Sequence, residues 1–115
     1  MPTPESSTIE TGGVGLTLIV TYTCAEEKQD ELVDALDRSI TEVYSRQPGF
    51  ISASVHASKD RTRVLNYVQW ERVQDFDSAG QEPEVQKHVA QIIALAETAD
   101  PRLYDVRVVH RASPG

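Results

Sequence analysis

The stretch Arg63-Val64-Leu65-Asn66-Tyr67-Val68-Gln69-Trp70 reads as a β-strand, dominated by β-branched, aliphatic and aromatic residues. Its one irregularity is Asn66, a residue that strands avoid because its short amide competes for backbone hydrogen bonds. Strand side chains alternate between faces, so Val64, Asn66, Val68 and Trp70 point the same way. If that face is buried, an amide and the only tryptophan of the chain share one apolar wall. An unpartnered buried amide costs roughly 1–3 kcal/mol, so one kept there binds something. The other reading is a half-exposed strand whose Asn66 meets water or a neighbouring threonine.

Elements on either side place this strand in a fold. Upstream, Phe50 to Ser58 alternates, with Ile51, Ala53 and Val55 on one face and Ser52, Ser54 and His56 on the other. Lys59-Asp60-Arg61-Thr62 is a short polar connection, so the two strands form a hairpin. Before them, Leu16 to Thr23 is a first strand. Leu32, Val33, Leu36, Ile40, Val43 and Tyr44 then recur at helical spacing until Gln47-Pro48-Gly49 stops the helix. Downstream, Arg72 to Ala79 predicts a short helix around Phe76, broken by Gly80. Pro83 suits the first turn of another helix with Val85, Val89, Ile92, Ile93 and Ala96 inward. Asp100-Pro101 is expected to end that helix, and Leu103 to His110 to form the last strand.

The order strand, helix, strand, strand, helix, strand is that of an α+β, ferredoxin-like split βαβ fold with a four-stranded antiparallel sheet. Helices cover one face of such a sheet. Here the third strand is apolar on both faces, with Leu65 and Tyr67 behind Val64, Val68 and Trp70. The first strand likewise sets Ile19 behind Leu16, Leu18, Val20 and Tyr22. The open face therefore predicts a homodimer with sheet packed on sheet.

Composition excludes several functions. The 115 residues suffice for one domain, expected over 14–112 after a flexible leader at 1–13 rich in Pro, Ser, Thr and Gly. A net charge of −7 argues against nucleic acid and anionic membrane surfaces as partners. The third strand also lacks the basic, glycine-and-aromatic character of an RNA-binding strand. Cys24 is the one cysteine, and with no secretory signal or membrane-length apolar run a cytoplasmic location is expected. Gly13-Val14-Gly15 precedes a strand rather than opening a helix, so it is no phosphate loop. The histidines at 56, 88 and 110 have no metal-ligand spacing, and no metal is expected.

Among them, His88 follows Val85 by three residues and precedes Ile92 by four, which sets it on the inward stripe. It could face the Asn66–Trp70 wall across a cavity and serve as base for a phenolic proton, or be a core-edge histidine bonded to backbone. Tyr22 could point into the same cavity or simply fill the core.

Pro48-Gly49-Phe50, a strand, a short hairpin, Asn66-x-x-x-Trp70 and Phe76 six residues later resemble the antibiotic biosynthesis monooxygenase family. The resemblance runs from about Leu16 to Arg111. His56 to Asp60 and Asn66 to Glu71 are most similar to its small actinomycete oxygenases of aromatic polyketide pathways. It implies a dimeric α+β barrel that oxidises an anthrone- or naphthacenone-type polyphenol to a quinone with dioxygen, without flavin, haem or metal. It further implies Asn66 and Trp70 as catalytic residues, with Tyr22, Phe76 and His88 lining the substrate site. Two departures stand out: some relatives carry an asparagine on the first strand, where this chain has Thr21, Tyr22 and Thr23, and others a tyrosine at the place of Phe76. Haem-degrading members of the same superfamily pair a helix histidine with a tryptophan, which His88 and Trp70 could match, though the first-strand asparagine is missing. A non-catalytic dimer that binds a small aromatic ligand is the remaining alternative.

Overall fold

The computed structural model describes residues 15–114. The leader expected at 1–13 lies outside the described residues. Four strands, β1 (Leu16–Thr23), β2 (Phe50–Ala57), β3 (Arg63–Trp70) and β4 (Thr98–Tyr104), form one antiparallel sheet in the order β2-β3-β1-β4. Three helices, α1 (Gln29–Glu42), α2 (Val73–Gly80) and α3 (Pro83–Leu95), complete the split βαβ arrangement. Among the described residues no helix is long and apolar enough to cross a membrane.

The alternation read from the sequence decides which face the helices cover. Leu18 opposes Val68, Val20 opposes Asn66 and Tyr22 opposes Val64, so both central strands turn the same residues inward. Leu32, Leu36 and Ile92 from α1 and α3 pack on Tyr22 and Val64, while Phe76 and Ala79 of α2 pack on Val68 and Trp70. On the opposite face Ile19, Leu65 and Tyr67 are half-buried. Buried Gln29 ties α1 to the hairpin by donating to the carbonyls of Ser58 and Arg63, at 2.9 and 3.0 Å. Within the turn, Asp60 accepts hydrogen bonds from Ser58 and twice from Thr62, which hold its carboxyl down at about 2.

Four expectations need correction. The last strand begins at Thr98 and contains Asp100-Pro101, whereas residues 105–110 are not a strand. Proline cannot donate to a ladder, but β4 is an edge strand, where a missing N–H can face outward. Ile51 does not share the inner face of Ala53 and Val55. A bulge after Phe50 aligns Phe50 with Trp70 and Ser52 with Gln69, which turns Phe50 inward and leaves Ile51 exposed. Helix α1 stops at Glu42, before Pro48, and a 3₁₀ turn over Tyr44–Arg46 carries the chain to the glycine. Finally, Ile93 is 52% exposed, at the rim of the inward face and not in its buried stripe, which Val85, His88 and Ile92 define.

The bulge depends on Gly49. Its φ of +83° lies in the left-handed region, and an added Cβ would run into the buried carboxylate of Asp75. That carboxylate is held in a fork by Arg72, at 3.0 and 3.1 Å. The Gly49 carbonyl accepts from Glu71 N–H at 2.7 Å, closing the loop onto the end of β3. Gly49→Ala is therefore expected to lower stability by roughly 1–3 kcal/mol through strain and displacement of Asp75. Urea unfolding checks this; a midpoint equal to that of the parent chain would show that the loop does not need its glycine.

Candidate functional site

Strand β3 lies between β2 and β1, so its inner face is central to the sheet. Along it Val64 belongs to one buried cluster, with Tyr22, Leu32, Leu36 and Ile92, and Val68 and Trp70 to another, with Phe50, Phe76 and Ala79. Asn66 sits between the two. A polar amide there cannot be packed with methyl groups at no cost, and the core divides around it. What fills the division is a cavity of about 530 Å³, lined by both clusters.

One end of the cavity is an aromatic wall. Trp70 is 1% exposed and makes edge-on contacts with Phe50, Phe76 and Tyr44, at ring-centroid distances of 5.6, 6.3 and 6.5 Å. Such T-shaped packing fixes the rings, because the positive edge of each meets the negative face of its neighbour. The other end is bounded by α3, through Val89 and Ile93, and by the edge strand, through Ala99 and Pro101. Ile93, Ala99 and Pro101 are exposed as well as lining, so the cavity opens between α3 and β4.

Polar groups on this surface are few and specific. The polar residues of the lining include Asn66, Trp70, Tyr22, Tyr44, Ser39 and Gln86, and none of the lining residues carries a charge. Asn66 Oδ1 and Trp70 Nε1 are buried and have no hydrogen-bond partner. They cannot satisfy each other, since four strand residues separate them by about 13 Å along β3. Each such orphan costs about 1–3 kcal/mol, which a bound polar group would offset. Burial pushes the phenol of Tyr22 strongly up, with the neighbouring Tyr44 adding to the effect. Burial alone does the same to Tyr44, so both stay protonated at neutral pH.

Of the residues singled out by the sequence, Tyr22, Asn66, Trp70 and Phe76 meet around this one cavity. His88 does not. It is buried between α1 and α3, its Nδ1 lies 2.8 Å from Ser39 Oγ, and it is not a lining residue. The helical stripe was read correctly, but the residue turns toward α1 instead of the sheet. A haem bound in the cavity would therefore lack the axial histidine assigned to it. Among the described residues no three His, Cys, Asp or Glu side chains come together as metal ligands. Cys24 is buried, with its thiol 3.8 Å from the Arg61 carbonyl.

The sequence reading did not assign Tyr44, Phe50 and Ser39 to the site. Tyr44 was legible only as a member of an apolar stripe. Phe50 has the wrong parity until the bulge is known, and Ser39 carries no signal at all.

Comparison with known proteins finds relatives in sequence and in fold. Residues 15–91 match the family model for antibiotic biosynthesis monooxygenase. The tetracenomycin-F1 monooxygenase of Streptomyces glaucescens is 39% identical over 72 residues, a stretch that spans 63% of this chain and 64% of that protein. The crystal structure of the monooxygenase ActVA-Orf6 of Streptomyces coelicolor, in complex with nanaomycin D, superposes with a TM-score of 0.78. It is 28% identical, over 87% of this chain and 94% of that one. SnoaB, a cofactor-independent oxygenase from Streptomyces nogalater, shares the fold at a TM-score of 0.74 and 21% identity, over 84% of this chain and 97% of that one. With its matched segment carrying β1 to β3, the aromatic wall and both orphaned polar atoms, the chain belongs to the antibiotic biosynthesis monooxygenase family.

Proposed function

We propose that this chain is a cofactor-independent monooxygenase that oxidises an aromatic polyketide, an anthrone-like polyphenol, to a quinone with molecular oxygen. The observation that carries the reading is the pair of orphaned polar atoms, Asn66 Oδ1 and Trp70 Nε1, on an uncharged and largely aromatic cavity. A flat fused-ring polyphenol has the matching chemistry, with apolar faces for the wall, a hydroxyl to donate to Asn66 Oδ1 and an edge oxygen to accept from Trp70 Nε1. The tetracenomycin-F1 monooxygenase and the nanaomycin D complex of ActVA-Orf6 support the same substrate class.

In this reading the substrate supplies the electrons. Its phenolate passes one electron to dioxygen, the resulting radical pair combines to a peroxide anion at the ring carbon, and the proton given up by the phenol returns to make the hydroperoxide. Loss of water then leaves the carbonyl: one oxygen atom enters the product and the other departs as water, while a CH₂ carbon is oxidised to C=O. The protein's part is to favour the ionised ring, to hold it and to exclude water. An asparagine amide presents both a donor and an acceptor, and its N–H₂ can stabilise the developing oxyanion. Trp70 Nε1 donates to a second oxygen and sets the orientation of the ring.

Asn66→Ala removes the orphaned Oδ1 and no side-chain hydrogen bond found among the described residues, so stability should hold or rise, by at most about 3 kcal/mol. Turnover should fall by about 10²-fold or more, since the lost interaction strengthens in the transition state. Trp70→Phe keeps the wall and loses the indole N–H, so it should slow turnover while disturbing folding only modestly. Oxygen uptake with an anthrone in the presence of a chelator, alongside thermal melts, checks both variants. Full turnover by Asn66→Ala would contradict the catalytic assignment. Activity lost to the chelator and restored by iron or copper would contradict cofactor independence. Binding without oxygen uptake would leave the chain a ligand-binding dimer.

The same reading includes a homodimer with facing sheets, because Ile19, Leu65 and Tyr67 form an apolar strip on the face that α1, α2 and α3 leave uncovered. Light scattering at micromolar concentration should return about twice the 12.7 kDa chain mass, and a clean monomer would refute it.

A further inference from the structure

Ser39 is a hydroxyl in the middle of a helix, 2% exposed, and it reaches two partners besides lining the cavity. Its Oγ donates to the Ala35 carbonyl at 2.9 Å and lies 2.8 Å from His88 Nδ1. A hydroxyl has one proton, so the two contacts define two states. When Nδ1 carries a proton it donates to Oγ, and the serine proton rests on the Ala35 carbonyl. When Nδ1 is bare, the serine proton turns to it, and the Ala35 carbonyl keeps only its backbone partner in the helix. Both states satisfy every group of the triplet, and they differ by the position of one proton.

We propose that Ser39 and His88 form a proton relay that takes the phenolic proton of the substrate out of the cavity. The proposal rests on the polyphenol reading above. The substrate O–H bond breaks and its proton goes to Ser39 Oγ, while the Ser39 O–H proton moves to His88 Nδ1. The products are a phenolate in the cavity and an imidazolium behind the wall, with Ser39 again neutral and donating to Ala35. No oxidant or further reactant is needed. Ser39 is the residue that touches substrate, and His88 acts through it as a positioning residue and proton reservoir.

Nothing else on the wall can take this proton at neutral pH. The cavity has no charged lining residue, and burial holds Tyr22 and Tyr44 protonated. On the elements packed around His88, the side chains of Asp34, Asp37, Arg38 and Glu42 in α1 and of Glu84 and Lys87 in α3 are exposed. In α2, Asp75 is occupied by Arg72. A buried base reached through a neutral hydroxyl also leaves the cavity uncharged until substrate arrives, which suits an apolar ring system.

The test uses 1,8-dihydroxyanthraquinone, which is already oxidised and whose phenolate absorbs at longer wavelength than the phenol. Its ionisation when bound is followed against pH in the parent protein, Ser39→Ala and His88→Asn. His88→Asn keeps a side-chain hydrogen bond to Ser39 but cannot accept a proton, so a merely structural clamp survives in it. The parent should lower the apparent pKa of the bound dye by about one unit, tenfold more phenolate at a given pH, and both variants should lose that shift with melting temperatures near the parent's. Equal dye ionisation in all three, or a shift retained by His88→Asn, would overturn the relay alone. Failure of the dye to bind any of the three would overturn the polyphenol reading and the relay with it.

Discussion

One constraint organises the molecule: the strand at the centre of the sheet carries an amide where a continuous core would need a hydrocarbon. Val64 and Val68 on either side of Asn66 pack into separate clusters, and the helices cannot close over the gap between them without burying the amide against methyl groups. The 530 Å³ cavity is the consequence. Filling it with aliphatic side chains would add stability by the ordinary hydrophobic effect, so its persistence is a stability cost, one that the proposed binding of a ring system would offset. The orphaned Asn66 Oδ1 and Trp70 Nε1 add to that cost.

The rest of the architecture holds this gap open with the right shape. Gly49 takes a backbone conformation that lets the chain pass against Asp75, the bulge that follows turns Phe50 inward, and Phe50 braces Trp70 at right angles. Tyr44 and Phe76 brace the same indole from the 3₁₀ turn that follows α1 and from α2. The Pro48-Gly49-Phe50 signature thus contributes indirectly: it positions the wall and does not itself present a polar group to the ligand. At the far end the protection is thinner. Pro101 and Ala99 on an edge strand and Ile93 on α3 leave an opening into the cavity.

Sheet order, the inner face of β1 and β3, and the grouping of Tyr22, Asn66, Trp70 and Phe76 were legible in the sequence because strand periodicity is strict and the faces differ sharply in polarity. What escaped depends on local geometry that periodicity does not encode. A single bulge after Phe50 reverses the parity at the start of β2, so Ile51, read with Ala53 and Val55, is turned out and Phe50 in. Asp100-Pro101 looks like a break, yet an edge strand accommodates it. His88 lies on the buried stripe as expected, but that stripe faces α1 as well as the sheet, and only the packing angle decides which neighbour it meets. Ser39 was invisible because a serine inside a helix is ordinarily solvent-facing or back-bonded, and here it is back-bonded and also borders the cavity.

The central claim is that Asn66 and Trp70 are unpartnered because a ring system with edge oxygens belongs between them. A crystal structure of the protein with the quinone product of an anthrone tests this most directly. The account predicts the ring inside the cavity against Trp70, Phe50 and Phe76, with a phenolic hydroxyl of the product donating to Asn66 Oδ1 and another oxygen accepting from Trp70 Nε1, each at about 2.7–3.2 Å. A quinone bound on the outer face of the sheet, or in the cavity with both orphans still unpaired, would contradict it.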